Sequence, residues 1–291
     1  MPDLVSVVIP TYNALEYLDT QLEALAAQDY SGDFEVIVSD NGSTDGLRDH
    51  LENHPLAERL RLKRIDSSAV QGAPHARNAG AAAAHGEFLV FCDADDKVSP
   101  GWLSALVGAG QDYDSVSGPV ETTTLNTARV AEWRPVNPPE KQEETPGFLP
   151  FGLSGNFGIW RTVFDQVGGF DESLNVGEDV DMSWRIQLAG FTLGHVPAAL
   201  VAYRLRDSYG ALWRQTSAYG AAGVQLYRDY RWYGVKAMNP LHITFLVTLL
   251  VVRNPLVPKV ISRISTGRWI YYAASFAGRI RGCVKYRTYY I

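Results

Sequence analysis

Residues 87–96 read EFLVFCDADD, an unbroken apolar run that ends abruptly in three carboxylates. Phe88, Leu89, Val90 and Phe91 leave no polar face for water, so a strand made of them must be covered on both sides, as in a parallel sheet. Asp93, Asp95 and Asp96 then fall where the strand leaves the sheet at its carboxyl end, the edge at which open α/β sheets bind ligands. Carboxylates this close repel one another, and something must offset the repulsion. Two readings stand at this level. One is a solvated Asp-rich turn; the other is a seat for a hard cation, Mg²⁺ or Mn²⁺, completed by the oxygens of a substrate pyrophosphate.

The surrounding chain repeats the strand-then-helix pattern. Val5 to Ile9 is an apolar strand stopped by Pro10, and Leu15, Leu18, Leu22 and Leu25 recur at helical spacing. Phe34 to Val38 is a second strand, ended by the turn signal Asp40-Asn41-Gly42-Ser43, with Thr44 or Asp45 placed to cap a following helix. Leu60 to Ile65 reads as a third strand, and Ala76 to Ala84 as an Ala-rich helix before the fourth, Phe88 to Phe91. Such alternation predicts an α/β fold with one largely parallel central sheet flanked by helices. Beyond it, Asp114 to Gly118 and Arg129 to Trp133 read as further strands. Asn137 to Gly147 reads as a Pro-rich, charged surface loop of the kind used as lids, and Arg161 to Val167 and Asp179 to Leu188 as helices. From Ser208 onward the chain reads as helical and aromatic, which suggests a catalytic domain over 1–205 and a helical extension over 206–291.

Charge is divided in the same way. From Tyr203 to the end there are 14 Lys and Arg against 2 Asp and Glu, a net of +12. The remaining 12 basic and 30 acidic residues give the first 202 positions a net of −18. A basic, Trp- and Tyr-rich C-terminal third suits an anionic partner or simple neutralisation of the acidic part. The N-terminus lacks a basic segment of the secretory type, and Cys92 and Cys283 make neither a disulfide framework nor a metal-ligand spacing. A cytoplasmic protein is the expectation.

Several side chains share the sheet edge with Asp93. The first strand ends in Pro10-Thr11-Tyr12-Asn13 and the second in Asp40-Asn41. Tyr12 could stack on a ring, and Asp40 could accept from a base N–H or a ribose hydroxyl. Arg77 and Asn78 read as opening a helix, where an Arg makes a natural phosphate site. A second acidic cluster, Gly177-Glu178-Asp179-Val180-Asp181, precedes the helix that carries Trp184 and Ile186. Asp181 and Arg185 have the spacing of a helical ion pair. That pairing leaves Glu178 and Asp179 as candidates for a general base on an acceptor hydroxyl.

Taken together, the blocks VSVVIPTYN, VIVSDNGSTDG, ARNAGAAAAHGEFLVFCDADD, VGGFDE and GEDVDMSWRIQLAGF resemble the inverting family 2 glycosyltransferases of the A-type nucleotide-sugar fold, over residues 4 to 205. The resemblance implies that Thr11, Tyr12 and Asp40, with Pro10 beside them, contact the nucleoside, and that Arg77 lies near the diphosphate. Asp93 and Asp95, flanking Ala94, would form the Asp-x-Asp motif for Mn²⁺ or Mg²⁺, with Asp95 the direct ligand and Asp93 turned to the donor's ribose or sugar. Asp179 would be the base, with Glu178 as its alternative, and Gly155 and Asn156 would lie on the acceptor side. The donor would be a nucleotide-diphosphate sugar and the acceptor a glycan or lipid-linked hydroxyl. Two positions depart from the pattern: Asn41 replaces a usual second Asp, and the segment Val201-Ala202-Tyr203-Arg204, where many relatives place a His, has none.

The run Leu241 to Val252 is twelve residues, against the ~20 needed to cross a bilayer. It reads as a core helix or as an interfacial one, backed by Arg253, Lys259, Arg263 and Arg268 on an anionic membrane surface. Other classes fit less well. A nucleotidyltransferase would carry a Gly-rich basic loop after the first strand, where PTYNALEYL has none. A nucleic-acid binder would not pair its basic tail with so acidic a domain. An inactive sugar-binding relative would not need every candidate acid.

Overall fold

The structure, a computed structural model, describes residues 1–258 and 263–290, with all their side chains except those of Pro240 and His242. Its first half realises the alternation in order: β1 (Val5–Thr11), α1 (Leu15–Ala26), β2 (Phe34–Asp40), α2 (Leu47–Glu52), β3 (Leu62–Asp66), α3 (Ala73–Ala83) and β4 (Phe88–Cys92). β1 pairs in parallel with β2 and β4, and β2 with β3. Then follow β5 (Lys97–Val98), α4 (Trp102–Ala109), β6 (Ser115–Ser117), β7 (Val120–Glu121), α5 (Ala128–Ala131), β8 (Glu143–Glu144), β9 (Pro150–Phe151), β10 (Asn156–Trp160) and α6 (Arg161–Val167). Next come α7 (Glu178–Leu188), β11 (Leu193–His195) and β12 (Val201–Ala202). The central sheet holds seven strands in the order β11-β6-β10-β4-β1-β2-β3, and β10 runs antiparallel to both of its neighbours. A mainly parallel α/β fold results.

β4 is covered on both faces, as its composition requires. Phe88, Val90 and Cys92 pack with α1 and α4 side chains such as Leu18, Leu22 and Trp102, while Leu89 and Phe91 pack with Phe164, Phe170 and Met182 on the other face. Burial of each such side chain contributes about 1.5–3 kcal/mol. The strand's end is therefore a fixed platform for the acids that follow.

Some local readings change. Arg129 to Trp133 is not a strand: Thr127 caps a short helix by accepting from the Val130 amide, and α5 occupies Ala128–Ala131. β3 starts two residues late because Arg61 adopts a left-handed φ of 45°, which breaks the extended run. α3 begins at Ala73, with Pro74 in its first turn, so Arg77 sits in the second turn and not at the helix start. Neither Thr44 nor Asp45 is the N-cap of α2, which is Gly46 in a left-handed conformation, but Asp45 holds the turn before it. One of its oxygens accepts from Leu47 N at 3.3 Å and the other from Leu15 N at 2.9 Å, tying the starts of two helices together.

The chain divides into two compact units. The first comprises residues 1–121, 137–144 and 149–203; the second comprises 122–136, 145–148 and 204–291. The segments 122–136 and 145–148, read from sequence as part of the catalytic domain, thus belong to the second unit. That unit is built on α8 (Tyr209–Tyr230), α9 (Pro240–Val252) and α10 (Thr266–Tyr286). α8 and α10 meet backbone to backbone: a Cβ on Gly220 would come within 2.2 Å of the Ser275 carbonyl, and one on Gly278 within 2.1 Å of the Ser217 carbonyl. Among the described residues, no helix is long and apolar enough to cross a membrane.

Candidate active site

The carboxyl end of β4 delivers Asp93 into a buried ion triad. Arg77 reaches from α3, its side chain 4% exposed, and donates through Nη2 to Asp93 (2.7 Å) and through Nη1 to Glu178 (2.9 Å). Burial opposes the charge on Arg77, but the Asp93 and Glu178 carboxylates outweigh it and hold the guanidinium firmly protonated. One arginine therefore joins two acid clusters that lie 85 positions apart in sequence. Its guanidinium is committed to carboxylates, which changes the reading of Arg77 as an open phosphate site.

A short loop between β9 and β10 completes the arrangement. Ser154 Oγ donates to Glu178 at 3.4 Å, and the Ser154 amide donates to Asp179. Gly155 backs onto Asp93 so tightly that a Cβ would lie 2.6 Å from its Oδ2. Only a glycine lets the loop approach that carboxylate so closely. Ser154 escaped the sequence reading because its partners are distant in the chain and one of its bonds comes from the backbone.

Asp179 sits in the first turn of α7, and its carboxyl is strongly perturbed. Burial first, then the like charge of Glu178, push its pKa from 3.8 up to about 7, against the pull of the Val180 amide, Arg77 and the Ser154 amide. Protein packs densely around the carboxyl, yet the residue keeps part of its surface open. Such a group is a proton acceptor poised near neutral pH. The helix beneath it is braced: Arg185 donates to Asp181 (2.7 Å), to the Val167 carbonyl (2.7 Å) and to the Gly169 carbonyl (2.8 Å). Asn78 fixes the same loop through the Phe170 backbone and Glu172. The Val167–Asp171 turn is thus a support for α7.

On the other side of β4, Tyr12 is 57% exposed at the end of β1, and Thr11 and Asp40 are buried beside it. Asn13 follows in a left-handed conformation and accepts from the Thr44 amide at 2.8 Å, locking the β1 and β2 loops together. Asp40 accepts from Arg64 Nη2 (2.6 Å) and Nε (2.9 Å) and from the Ser43 amide (2.8 Å), so its carboxylate is already anchored. Asn41 gains a purpose where an Asp would fail. Its amide donates to the Ser67 and Val70 carbonyls and accepts from the Gly72 amide, holding the loop that leads into α3.

Asn156 does not face an acceptor. It is fully buried; its Oδ1 accepts from Trp102 Nε1 (2.8 Å), and its Nδ2 donates to the carbonyls of Pro119 (2.9 Å) and Ala199 (2.7 Å). It knots three segments behind the site. Asp95 and Asp93 keep partial exposure, with Ala94 and Asp96 buried between and after them. These two hard-oxygen donors suit Mn²⁺ or Mg²⁺. No third His, Cys, Asp or Glu converges on them among the described residues, so oxygens of a bound diphosphate would have to complete the shell.

Residues 6–168 match the Glycosyl transferase family 2 profile, and residues 88–277 match Glycosyl transferase family group 2. The chain belongs to glycosyltransferase family 2. It is 30% identical over 227 residues to glycosyltransferase AglE of Haloferax volcanii, covering 77% of this chain and 74% of that protein. It is 31% identical over 228 residues to a validoxylamine A glucosyltransferase of Streptomyces hygroscopicus, covering 65% of this chain but 53% of the relative. In fold it is similar to the mannosyltransferase PcManGT from Pyrobaculum calidifontis in complex with GDP-Man and Mn²⁺, with a TM-score of 0.62 at 21% identity over 96% of this chain and 87% of that one. It is also similar to S. aureus TarS 1-349 in complex with UDP-GlcNAc, with a TM-score of 0.56 at 17% identity over 99% and 93%.

Proposed function

We propose that this glycosyltransferase moves a sugar from a nucleotide-diphosphate donor to a hydroxyl of a glycan or lipid-linked acceptor, with inversion, and that Asp179 is the general base. The observation that carries the reading is a carboxyl held near pH 7 by burial and by Glu178, one arginine away from the acids at the end of β4. In the transfer, the acceptor oxygen forms its bond to the anomeric carbon as the bond to the diphosphate oxygen breaks, and Asp179 takes the hydroxyl proton. A base with no covalent nucleophile in the scheme gives a single displacement, hence inversion. Tyr12, Thr11, Pro10 and Asp40 form the nucleoside edge, and Gly155 borders the sugar between Asp93 and the acceptor. Asp95 and Asp93 would hold the divalent ion, which when bound supplies Lewis-acid stabilisation of the departing diphosphate.

Calorimetric titration with UDP, GDP and dTDP, each with and without Mn²⁺, tests the donor half. One nucleotide should bind at least ~10-fold more tightly with Mn²⁺, and Asp95→Asn should remove that gain. Binding indifferent to the ion in the unaltered protein would remove Asp95 from this role.

The second unit supports a lipid-borne acceptor worked on from the cytoplasmic face. On α9, Leu241, Phe245 and Val251 are exposed, Leu256 is exposed just beyond it, and Arg253 follows the helix. Lys259 lies outside the described residues. Apolar side chains backed by positive charge are what an interfacial helix presents to anionic lipid. Flotation with anionic vesicles at low salt should carry the protein upward, and Phe245→Ser with Leu241→Ser should leave it at the bottom. A protein that never floats ends the membrane reading.

A further inference from the structure

Away from the carboxylates of the donor site, three side chains on α1 and on the α2 region turn their ligating atoms toward one point. Asp19 Oδ1 lies 2.7 Å from His50 Nε2 and 3.2 Å from His54 Nε2. All three ligand atoms fall within 4.8 Å of one another. α1 and α2 pack on the sheet face that carries Leu18, Leu47 and Leu51, whereas Phe164, Phe170 and Met182, the neighbours of α3 and α7, line the other face. None of the three side chains contacts Arg77, Asp93, Glu178 or Asp179 in the bonds described above.

We propose that Asp19, His50 and His54 form a second cation site, chemically distinct from the donor site and selective for a borderline ion of the Zn²⁺ type. Two imidazole nitrogens and one carboxylate oxygen are the donor set of an open tetrahedral zinc site, whereas Mg²⁺ and Mn²⁺ favour oxygen. Zn–N and Zn–O bonds of about 2.0–2.2 Å in a tetrahedron set the ligand atoms about 3.3 Å apart, so the Asp19–His50 separation would open by roughly 0.6 Å and the Asp19–His54 separation by roughly 0.1 Å, with the two imidazole nitrogens already within 4.8 Å of each other. Exposure matches an open site: His54 is 3% exposed and fixed, while His50 and Asp19 are 32% and 48% exposed and leave a coordination position for water. The two rings already stand edge to face, 5.1 Å apart. One local bond opposes the ion. His54 Nδ1 accepts from the Leu56 amide at 3.3 Å, and metal on Nε2 would put the ring proton on Nδ1 and displace that bond. Micromolar affinity is therefore expected, weaker than in closed structural zinc sites. Such an ion would pin α2 to α1, behind the loop through which Asp45 ties the starts of both helices.

The test uses the full chain after chelator treatment. Titration with Zn²⁺ alone, without nucleotide, should show one equivalent bound, and Co²⁺ in its place should give the intense visible bands of a tetrahedral site. His50→Gln and Asp19→Asn, both at partly exposed positions, should each weaken Zn²⁺ at least ~10-fold and abolish the Co²⁺ bands. Asp95→Asn should leave both readouts unchanged. The proposal is overturned if the unaltered protein takes up no Zn²⁺ at hundredfold excess. It is equally overturned if uptake is undiminished in both His50→Gln and Asp19→Asn, or is lost in Asp95→Asn. A trio serving only as a carboxylate–imidazole hydrogen-bond cluster gives the first of these results.

Discussion

Asp179→Asn is expected to cut kcat by at least ~10²-fold, and up to ~10⁴-fold, while the affinity for the nucleoside diphosphate stays within about twofold. Asparagine keeps the size of the side chain and a carbonyl that can accept from the Val180 and Ser154 amides, so the start of α7 should hold. What it loses is the ability to take a proton. The same substitution should also make the protein more stable. The native Asp179 carboxyl has its pKa raised from 3.8 to about 7, so folding favours the protonated form. Below pH 3.8 both states are protonated and the two proteins should be equally stable on this account. Between pH 4 and 7 the unfolded chain ionises first and the wild type falls behind; above pH 7 the gap is constant. Because the carboxyl keeps some contact with water, the gap should be on the order of 1–3 kcal/mol, below what the full shift would convert to. A variant that is inactive and more stable at pH 8 separates a chemical role from a structural one. An inactive variant of lower stability would say that Asp179 mainly holds the helix, and near-normal turnover would pass the role to Glu178.

Replacing Arg77 by Met has the opposite sign and the largest effect on folding. The guanidinium is almost fully buried and pairs with Asp93 and Glu178 at once. Removing one partner of a buried ion pair costs about 3–5 kcal/mol, because Glu178, 11% exposed, is left with little water and no counter-ion, while Asp93, 28% exposed, is partly hydrated. Arg77→Met should lower the urea midpoint accordingly, with unchanged m-value. Adding Glu178→Gln should recover part of that loss, since it removes one of the stranded charges. A loss below about 1 kcal/mol in the single variant would mean that solvent reaches the triad far more freely than its burial indicates.

Much of this site could be read before the structure, for physical reasons that differ from residue to residue. The β4 run had few alternatives, because four consecutive apolar residues beside an Ala-rich helix fit only a covered strand. The Asp181–Arg185 pair followed from helical periodicity alone, and it forms at 2.7 Å. Arg77 was visible but misplaced, since the helix start was read at Ala76 although Pro74 marks the first turn. Its partnership with Glu178 spans 101 residues and no local pattern announces it. Ser154 and Gly155 were harder still. One acts through a backbone N–H, the other through the lack of a side chain, and neither leaves a chemical mark in the sequence. Asn156 was set on the acceptor side by the family resemblance alone, whereas its side-chain amide is a buried knot. Asn41 was readable only as a departure from pattern, and its two donated hydrogen bonds explain why an amide is useful there.

The decisive measurement is the pH dependence of kcat/KM for the wild type and for Glu178→Gln. If Asp179 is the base and Glu178 raises its pKa, the wild-type profile should fall with unit slope below about pH 7. Glu178→Gln removes the like charge and leaves Arg77 closer to acting on Asp179 alone, so the limb should move to lower pH. A profile flat from pH 5 to 8, or an acid limb that Glu178→Gln leaves in place, would contradict a proton transfer to Asp179 tuned by its neighbour.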